Sequence, residues 1–256
     1  MQKKFWPRFR RLTLQLMLLF FVSTFGSVFF YRYVPIYFTP LMFIRSLESL
    51  GEEKFVGMNK TWVPIEEISP SMQKAVLKSE DYRFFEHNGF DYEAIEKAMK
   101  YNQTHTRKKG ASTISQQTAK NVFLWPRRDW IRKGLEAYFT VLIETMWPKE
   151  RIMEVYLNVV ELGSGVYGVE AASEKFFKKN AKNISSSQAS LIAAVLPNPR
   201  RFRIDHPSAY VTSRQHKILN RVAPEIPRVE QPSTDFFDLK FDTSDEDKDN
   251  KNEDDN

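Results

Sequence analysis

The sequence predicts a mainly α-helical domain held behind one membrane-spanning helix, and three observations carry that expectation. Residues Leu12 to Tyr31 contain no charged side chain and are dominated by Leu, Phe and Val. From about Ser69 to Val222, capping signals and apolar residues at helical spacing recur. Strand-like alternation is scarce, with Lys60 to Ile65 the best short candidate.

The apolar run comes first in the chain. Twenty residues at about 1.5 Å each reach roughly 30 Å, the thickness of a bilayer core. Lys3, Lys4, Arg8, Arg10 and Arg11 precede it, so residues 1–11 are expected on the cytoplasmic side and the body outside. Trp6 on one flank, and Tyr31, Tyr33 and Tyr37 on the other, suit the two interfaces. A cleaved signal peptide is the competing reading. The run is long for that and no A-x-A-like site follows, so an uncleaved anchor over residues 12–31 is expected. Residues 32–61 form a membrane-proximal segment. Phe38, Leu41, Met42, Phe43, Ile44 and Leu47 keep it apolar, and Pro35 and Pro40 forbid one continuous helix. It is either ordinary core or a segment lying on the membrane surface.

Helix signals then follow in order. Ser69-Pro70 is an N-cap with Pro at the first helical position. Asp91 can cap a helix through Ile95 and Ala98. Ile131, Leu135, Tyr138 and Leu142 form a stripe at helical spacing. Pro148 opens a helix carrying Ile152, Val155, Tyr156 and Val159, and Ser185-x-x-Gln188 is a capping box before Leu191, Ile192 and Val195.

The 256 residues allow one substantial domain plus an anchor. With no Cys, disulfides, thiolate metal sites and Cys nucleophiles are excluded. Asp235 to Asn256 hold ten acids and three lysines, and removing that net −7 from a chain of +6 leaves a body of +13. Such a body favours phosphate groups, acidic lipid or nucleic acid. The acidic segment, residues 223–256, is expected to be disordered.

Three stretches hold candidate chemistry. In Lys78 to Asp91, Glu80 and Asp81 stand side by side near Arg83, Phe84 and His87. Apolar neighbours raise a carboxylate's pKa towards the range of a useful base, and Arg83 pulls the other way. A solvated helix end is the alternative. In Gly110 to Asn121, Ser112, Thr113, Gln117, Lys120 and Asn121 offer hydroxyls, amides and one ammonium suited to sugars and a phosphate. A polar loop entering a helix capped by Ser112 or Thr113 is the plainer account. Between Glu96 and Glu136 the only acid is Asp129 against ten basic residues, which makes an anion surface. Arg132 and Glu136 lie one helical turn apart, either as a surface ion pair or as a carboxylate held by Arg in a polar cleft.

These blocks, in this order, resemble the glycosyltransferase domain of peptidoglycan synthases, glycosyltransferase family 51. The resemblance covers roughly Trp62 to Pro207. It rests on Glu80-Asp81 with Phe84, His87 and Gly89; on Gly110 to Asn121; and on Arg132-Lys133-x-x-Glu136. Arg151 to Asn158, Gly163 to Phe177 and Ser187 to Pro199 complete it. Bifunctional relatives continue into a penicillin-binding domain, whereas no S-x-x-K follows the match here.

The resemblance implies a lysozyme-like helical domain over residues 62–222 with a small membrane-proximal lobe. It implies an enzyme of the bacterial inner membrane, with its domain on the periplasmic side. Its partners would be lipid II, the growing glycan strand and membrane lipid, with cell-wall synthesis or division proteins as further candidates and no nucleic acid. The reaction implied is one inverting displacement giving a β-1,4 bond and free polyprenyl diphosphate. Glu80 would be the general base, and Glu136 would act near the leaving diphosphate by orienting Arg132, Lys120 or a bound cation. Asp81, Arg83, Phe84, His87, Ser112, Thr113, Gln117, Lys120, Asn121, Arg132, Glu154 and Asn158 would line or order the substrate site. His87 is expected to order its loop rather than transfer protons. No cofactor or metal site is demanded, and a divalent cation (Mg or Mn) is compatible. A lytic transglycosylase or muramidase also uses Glu in a helical domain, but needs neither the basic stretch nor the anchor. A membrane-tethered, non-catalytic scaffold would make both Glu residues expendable.

Overall fold

A computed structural model describes residues 5–51, 57–106, 108–127 and 129–222. The acidic segment 223–256, expected to be disordered, lies outside the described residues. The elements in chain order are α1 (Phe5–Tyr31), α2 (Pro40–Glu48), β1 (Asn59–Lys60), α3 (Pro70–Glu80), α4 (Tyr92–Thr104) and α5 (Ile114–Phe123). They continue with α6 (Trp130–Met146), α7 (Lys149–Val159), β2 (Glu161–Gly163), β3 (Val166–Tyr167), α8 (Val169–Phe177), α9 (Ser186–Val195) and α10 (Ala209–Val222).

The expected caps form. Ser69 accepts from Met72 N, Asp91 from Ala94 N at 2.9 Å, and Ser185 closes its capping box with Gln188. These contacts satisfy backbone N–H groups that a helix start leaves open. The strand candidate at Lys60–Ile65 is shorter than expected. Only Asn59–Lys60 pairs, parallel to β3, which is also antiparallel to β2. From Val63 the backbone finds a different partner: Asn158 Oδ1 accepts from Val63 N at 2.9 Å and Asn158 Nδ2 donates to Val63 O at 2.8 Å. A side-chain amide replaces the ladder, so the strand ends.

α1 is long and apolar enough to cross a bilayer, and most of its Leu and Phe side chains are exposed. Its C-terminal half is fastened to the domain. Val28 is fully buried, and Thr24 Oγ1 lies 2.8 Å from Tyr138 OH. Trp147 Nε1 donates to Val28 O at 2.8 Å, and Arg151 Nη2 donates to Tyr31 O at 2.8 Å and Val34 O at 2.6 Å. A guanidinium placed on these terminal carbonyls suits both their open lone pairs and the negative end of the helix dipole. In the membrane-proximal segment, Leu41 and Met42 are buried whereas Phe43, Leu47 and Leu50 are exposed, so α2 divides between core and surface. The stripe on α6 divides likewise: Leu142 is buried, Tyr138 packs on Phe20, and Ile131 stands exposed.

The core lies where α3, α5, α7 and α9 meet, with Met72, Ile114, Ile152, Tyr156, Leu157 and Ile192 fully enclosed. Gly168 enters α8 at φ +82, and an added Cβ would sit 2.7 Å from Asn158 O. Both the backbone angle and the contact exclude an L side chain. Gly168→Ala is therefore expected to destabilise the domain by about 1–3 kcal/mol, read as a lowered thermal midpoint by circular dichroism.

Candidate active site

Glu80 is the last residue of α3, and its side chain is 13% exposed. Gln117 Nε2 donates to Glu80 Oε2 at 3.1 Å, and Arg214 Nη2 to Glu80 Oε1 at 3.3 Å. Tyr156 OH donates to Gln117 Oε1 at 3.3 Å, which turns the Gln117 amide N–H₂ towards Glu80. Burial pushes the Glu80 carboxyl above its ordinary range and neighbouring Asp81 adds to this, while Gln117, Arg214 and Lys120 oppose it. The bland account, a solvated helix end, does not describe this group.

Asp81 faces the other way. Its Oδ2 accepts Ile114 N at 2.9 Å, the first N–H of α5, and its Oδ1 lies 2.9 Å from His87 Nε2. His87 Nδ1 accepts from Gly89 N at 3.1 Å, so the ring proton sits on Nε2 and is donated to Asp81. Gly89 itself takes φ +89 close against α6, where an added Cβ would lie 2.7 Å from Thr140 Cγ2. Thr113 caps α5 and donates to Gly89 O at 2.7 Å. Beneath this loop, Phe84 is fully buried, with Lys149 Nζ 4.5 Å from its ring centroid. Lys149 donates to His87 O at 2.6 Å and pairs with Glu144 at 2.8 Å, and Ser115 also bonds Glu144. Arg83 pairs with Glu86 and Glu93, each at 2.7 Å, and stands on a rim.

Two cavities meet here. The larger, about 1170 Å³, is lined by Glu80, Asp81, Arg83, Lys97, Tyr101, Lys108, Lys109, Ser112, Tyr210 and Arg214, among others. The smaller, about 480 Å³, is lined by Lys120, Asn121, Arg132, Lys133, Glu136, Arg45, Glu161 and Arg200, among others. Ser112, Gln117 and Pro197 line both, so Glu80 and Glu136 belong to adjoining compartments. Arg132 and Glu136 are 8% and 3% exposed and bond at 3.0 Å, with Lys133 on the second oxygen of Glu136. This is the carboxylate held by cations in a cleft, rather than a surface ion pair. Among the described residues, no group of three or more His, Asp or Glu could hold a metal ion.

Glu154 and Asn158 line neither of these cavities. Glu154 pairs with Arg151 and accepts from Ile65 N at 3.3 Å, while Asn158 holds Val63. The structure brings in residues that the sequence did not single out: Arg214 and Tyr210 on α10, Tyr101 on α4, and Arg45, Glu161 and Arg200 around the smaller cavity. They lie 21 to 134 positions from Glu80 or Glu136, whichever lines the same cavity, and no local spacing signals them.

The family model described as transglycosylase matches residues 48–223. A protein of Bdellovibrio bacteriovorus named biosynthetic peptidoglycan transglycosylase is 70% identical over 242 residues, covering 94% of this chain and 97% of that one. Proteins of the same name from Bacteroides thetaiotaomicron and Escherichia coli are 53% and 48% identical, covering 88% and 83% of this chain and 92% and 89% of their own.

The Glu80 environment gives a signed expectation for pH. Arg214 favours the ionised carboxylate, so Arg214→Gln should raise the Glu80 pKa further above its already elevated position. Carboxyl ¹³C titration of Glu80 in the two proteins measures this, and an unchanged or lowered midpoint would refute the contact.

Proposed function

The chain belongs to the transglycosylase family, and from that premise we propose that it polymerises peptidoglycan glycan strands from a lipid-linked disaccharide-peptide, lipid II. The observation that carries this reading is a shielded carboxylate, Glu80, at the junction of a long polar cavity and a second cavity rich in cations. Two lipid-linked sugars must meet there, and one must lose a diphosphate.

Glu80 serves as the general base. Its burial keeps its pKa raised, which strengthens it as a proton acceptor while Arg214 and Gln117 keep it ionised and aimed. It takes the proton of the acceptor's 4-hydroxyl. That oxygen bonds to the donor's anomeric carbon, and the electrons of the breaking C–O bond leave on the diphosphate. One displacement inverts an α-linked donor to a β-1,4 product. Lys120, Arg132 and Lys133 neutralise the leaving diphosphate, and Glu136 holds the last two in place. A divalent cation would take Glu136 as its carboxylate in exchange for Lys133 and would add positive charge at the leaving group. Asp81, His87, Phe84 and Thr113 act as positioning residues beneath the site. Glu154 and Asn158 position the 62–65 segment.

A strand-cleaving enzyme is the second reading. The smaller cavity favours synthesis, because five of its lining side chains are Arg or Lys against two carboxylates, a composition suited to a diphosphate. The exposed apolar surface of α1 and the Lys/Arg cluster before its charge-free run support an anchor in the inner membrane, with the domain on the periplasmic side. A reporter active only in the cytoplasm, joined to the end of the full chain, should then be silent; an active fusion would reverse the topology.

Purified protein given labelled lipid II should yield polymer that a muramidase digests. Glu80→Gln should fold, bind lipid II and lose about 10²–10⁴-fold in rate. Glu136→Gln should also be impaired, and less than additively with Lys120→Ala, since both act on one diphosphate. Polymerisation within a few-fold of the parent by folded Glu80→Gln would sink the assignment.

A further inference from the structure

Glu80 is aimed through a residue that lies outside the reach of any substrate. Tyr156 stands on α7 among the apolar positions Ile152, Val155 and Val159, and the sequence presents it as one more of them. Its side chain is fully enclosed and lines neither cavity. A residue that served packing alone would have no use for the hydroxyl, because a phenol buried without a partner forfeits its hydrogen bond to water. Among the described residues, the partner shown for this hydroxyl is Gln117 Oε1, at 3.3 Å. Gln117 Nε2 reaches in turn to Glu80 Oε2 at 3.1 Å. Side chains from α7, α5 and α3 thus form one line that ends on Glu80.

Chemistry sets the direction of that line. An ionised carboxylate only accepts, so Gln117 must offer its N–H₂, and its Oε1 then points at Tyr156. Turned over, the amide would offer an oxygen to Glu80, and that arrangement suits only a protonated carboxyl. Tyr156 discriminates between the two orientations, since a phenol donates more strongly than it accepts. Burial, with the carboxylates Glu80 and Asp81 nearby, pushes the Tyr156 hydroxyl well above its ordinary range, so it stays a donor. Arg214 and Lys120 also favour the ionised form of Glu80 and Asp81 opposes it, and all three stay in place when the Tyr156 hydroxyl alone is removed.

We propose that Tyr156 is a positioning residue of the transfer reaction: from outside the cavities it fixes the Gln117 amide with its N–H₂ towards Glu80, and so keeps the base in the form that receives a proton. This rests on the glycosyl-transfer reading and adds to it the group that orients the amide partner of the base. A hydrogen bond donated to an amide oxygen also polarises its N–H, which strengthens the bond to Glu80. Loss of the hydroxyl therefore has a signed result. The amide turns more readily, the neutral carboxyl gains, and Glu80 ionises only at higher pH. A general base works in its ionised form, so the acid limb of the rate profile moves up with it. Tyr156→Phe removes one oxygen and leaves the packing ring in place.

The test uses the full chain in lipid nanodiscs, with two readouts: carboxyl ¹³C titration of Glu80, and the pH profile of polymerisation from labelled lipid II. Tyr156→Phe should raise the Glu80 midpoint by about 0.5–1 pH unit, the loss expected for one hydrogen bond. Below both midpoints its rate should fall by the same factor, roughly threefold to tenfold, and at alkaline pH it should return to within a few-fold of the parent. Gln117→Leu breaks the same line from its other end and should also raise the midpoint, which keeps the test decisive if Tyr156→Phe loses its fold. With Gln117 gone there is no amide to orient, so the double variant should shift no further than Gln117→Leu alone. An unmoved Glu80 midpoint in either single variant would overturn the proposal. A loss of rate equal at every pH would overturn it too, since Tyr156 would then only pack. Failure of the underlying reading has its own signature: the parent would make no polymer from lipid II at any pH, and the proposal would fall with it even if the Glu80 midpoint moved.

Discussion

The Asp81 carboxylate is the joint on which the site depends. It is buried, it accepts the first N–H of α5, and it accepts the His87 ring proton. A buried carboxylate without such donors would cost several kcal/mol, so the three groups must stay together once the core forms. The consequence is geometric. Glu80 at the end of α3 is locked to the start of α5, and α5 carries Gln117, Lys120 and Asn121. Glu80, its amide partner Gln117 and the cavity-lining Lys120 therefore share one rigid connection.

The same economy appears beneath the loop. Glu144, Lys149 and Ser115 form a part-buried polar group under Phe84 and His87, joining α5, α6 and the start of α7. A polar network shielded from water and with its partners met rigidifies what it touches. Here it supports a loop whose glycine cannot carry a side chain. Polar residues close to the chemistry thus divide into two sets. One set faces the cavities, and the other holds the first set still.

Attachment to the anchor obeys a related constraint. Arg151 donates to the last carbonyl of α1, at Tyr31, and to Val34 O beyond it, and Trp147 adds a second donor to Val28 O. α1 is therefore fastened to the body through its C-terminal half rather than hinged on a loose tether, and the smaller cavity includes Leu41 and Arg45 of α2.

Local chemistry in the sequence determined the helical class, the caps at Ser69, Asp91 and Ser185 and the long apolar helix near the N-terminus; it left the α5 cap between Ser112 and Thr113 and offered Glu80 and Glu136 as candidates. Caps, apolar periodicity and a charge-free run act over a few residues, so their signal survives without a fold. Only the tertiary structure decided which polar residues face a cavity. Glu154 and Asn158 resemble site residues by motif, yet they clamp backbone at Ile65 and Val63 about 90 positions away. Arg214 meets Glu80 from 134 positions away, and Arg45 meets Glu161 across more than a hundred. The strand expected at Lys60–Ile65 was cut short for the same reason, by an amide on α7. Hydrogen bonds between distant segments depend on how helices pack, and packing leaves no periodicity in the chain for a sequence to display.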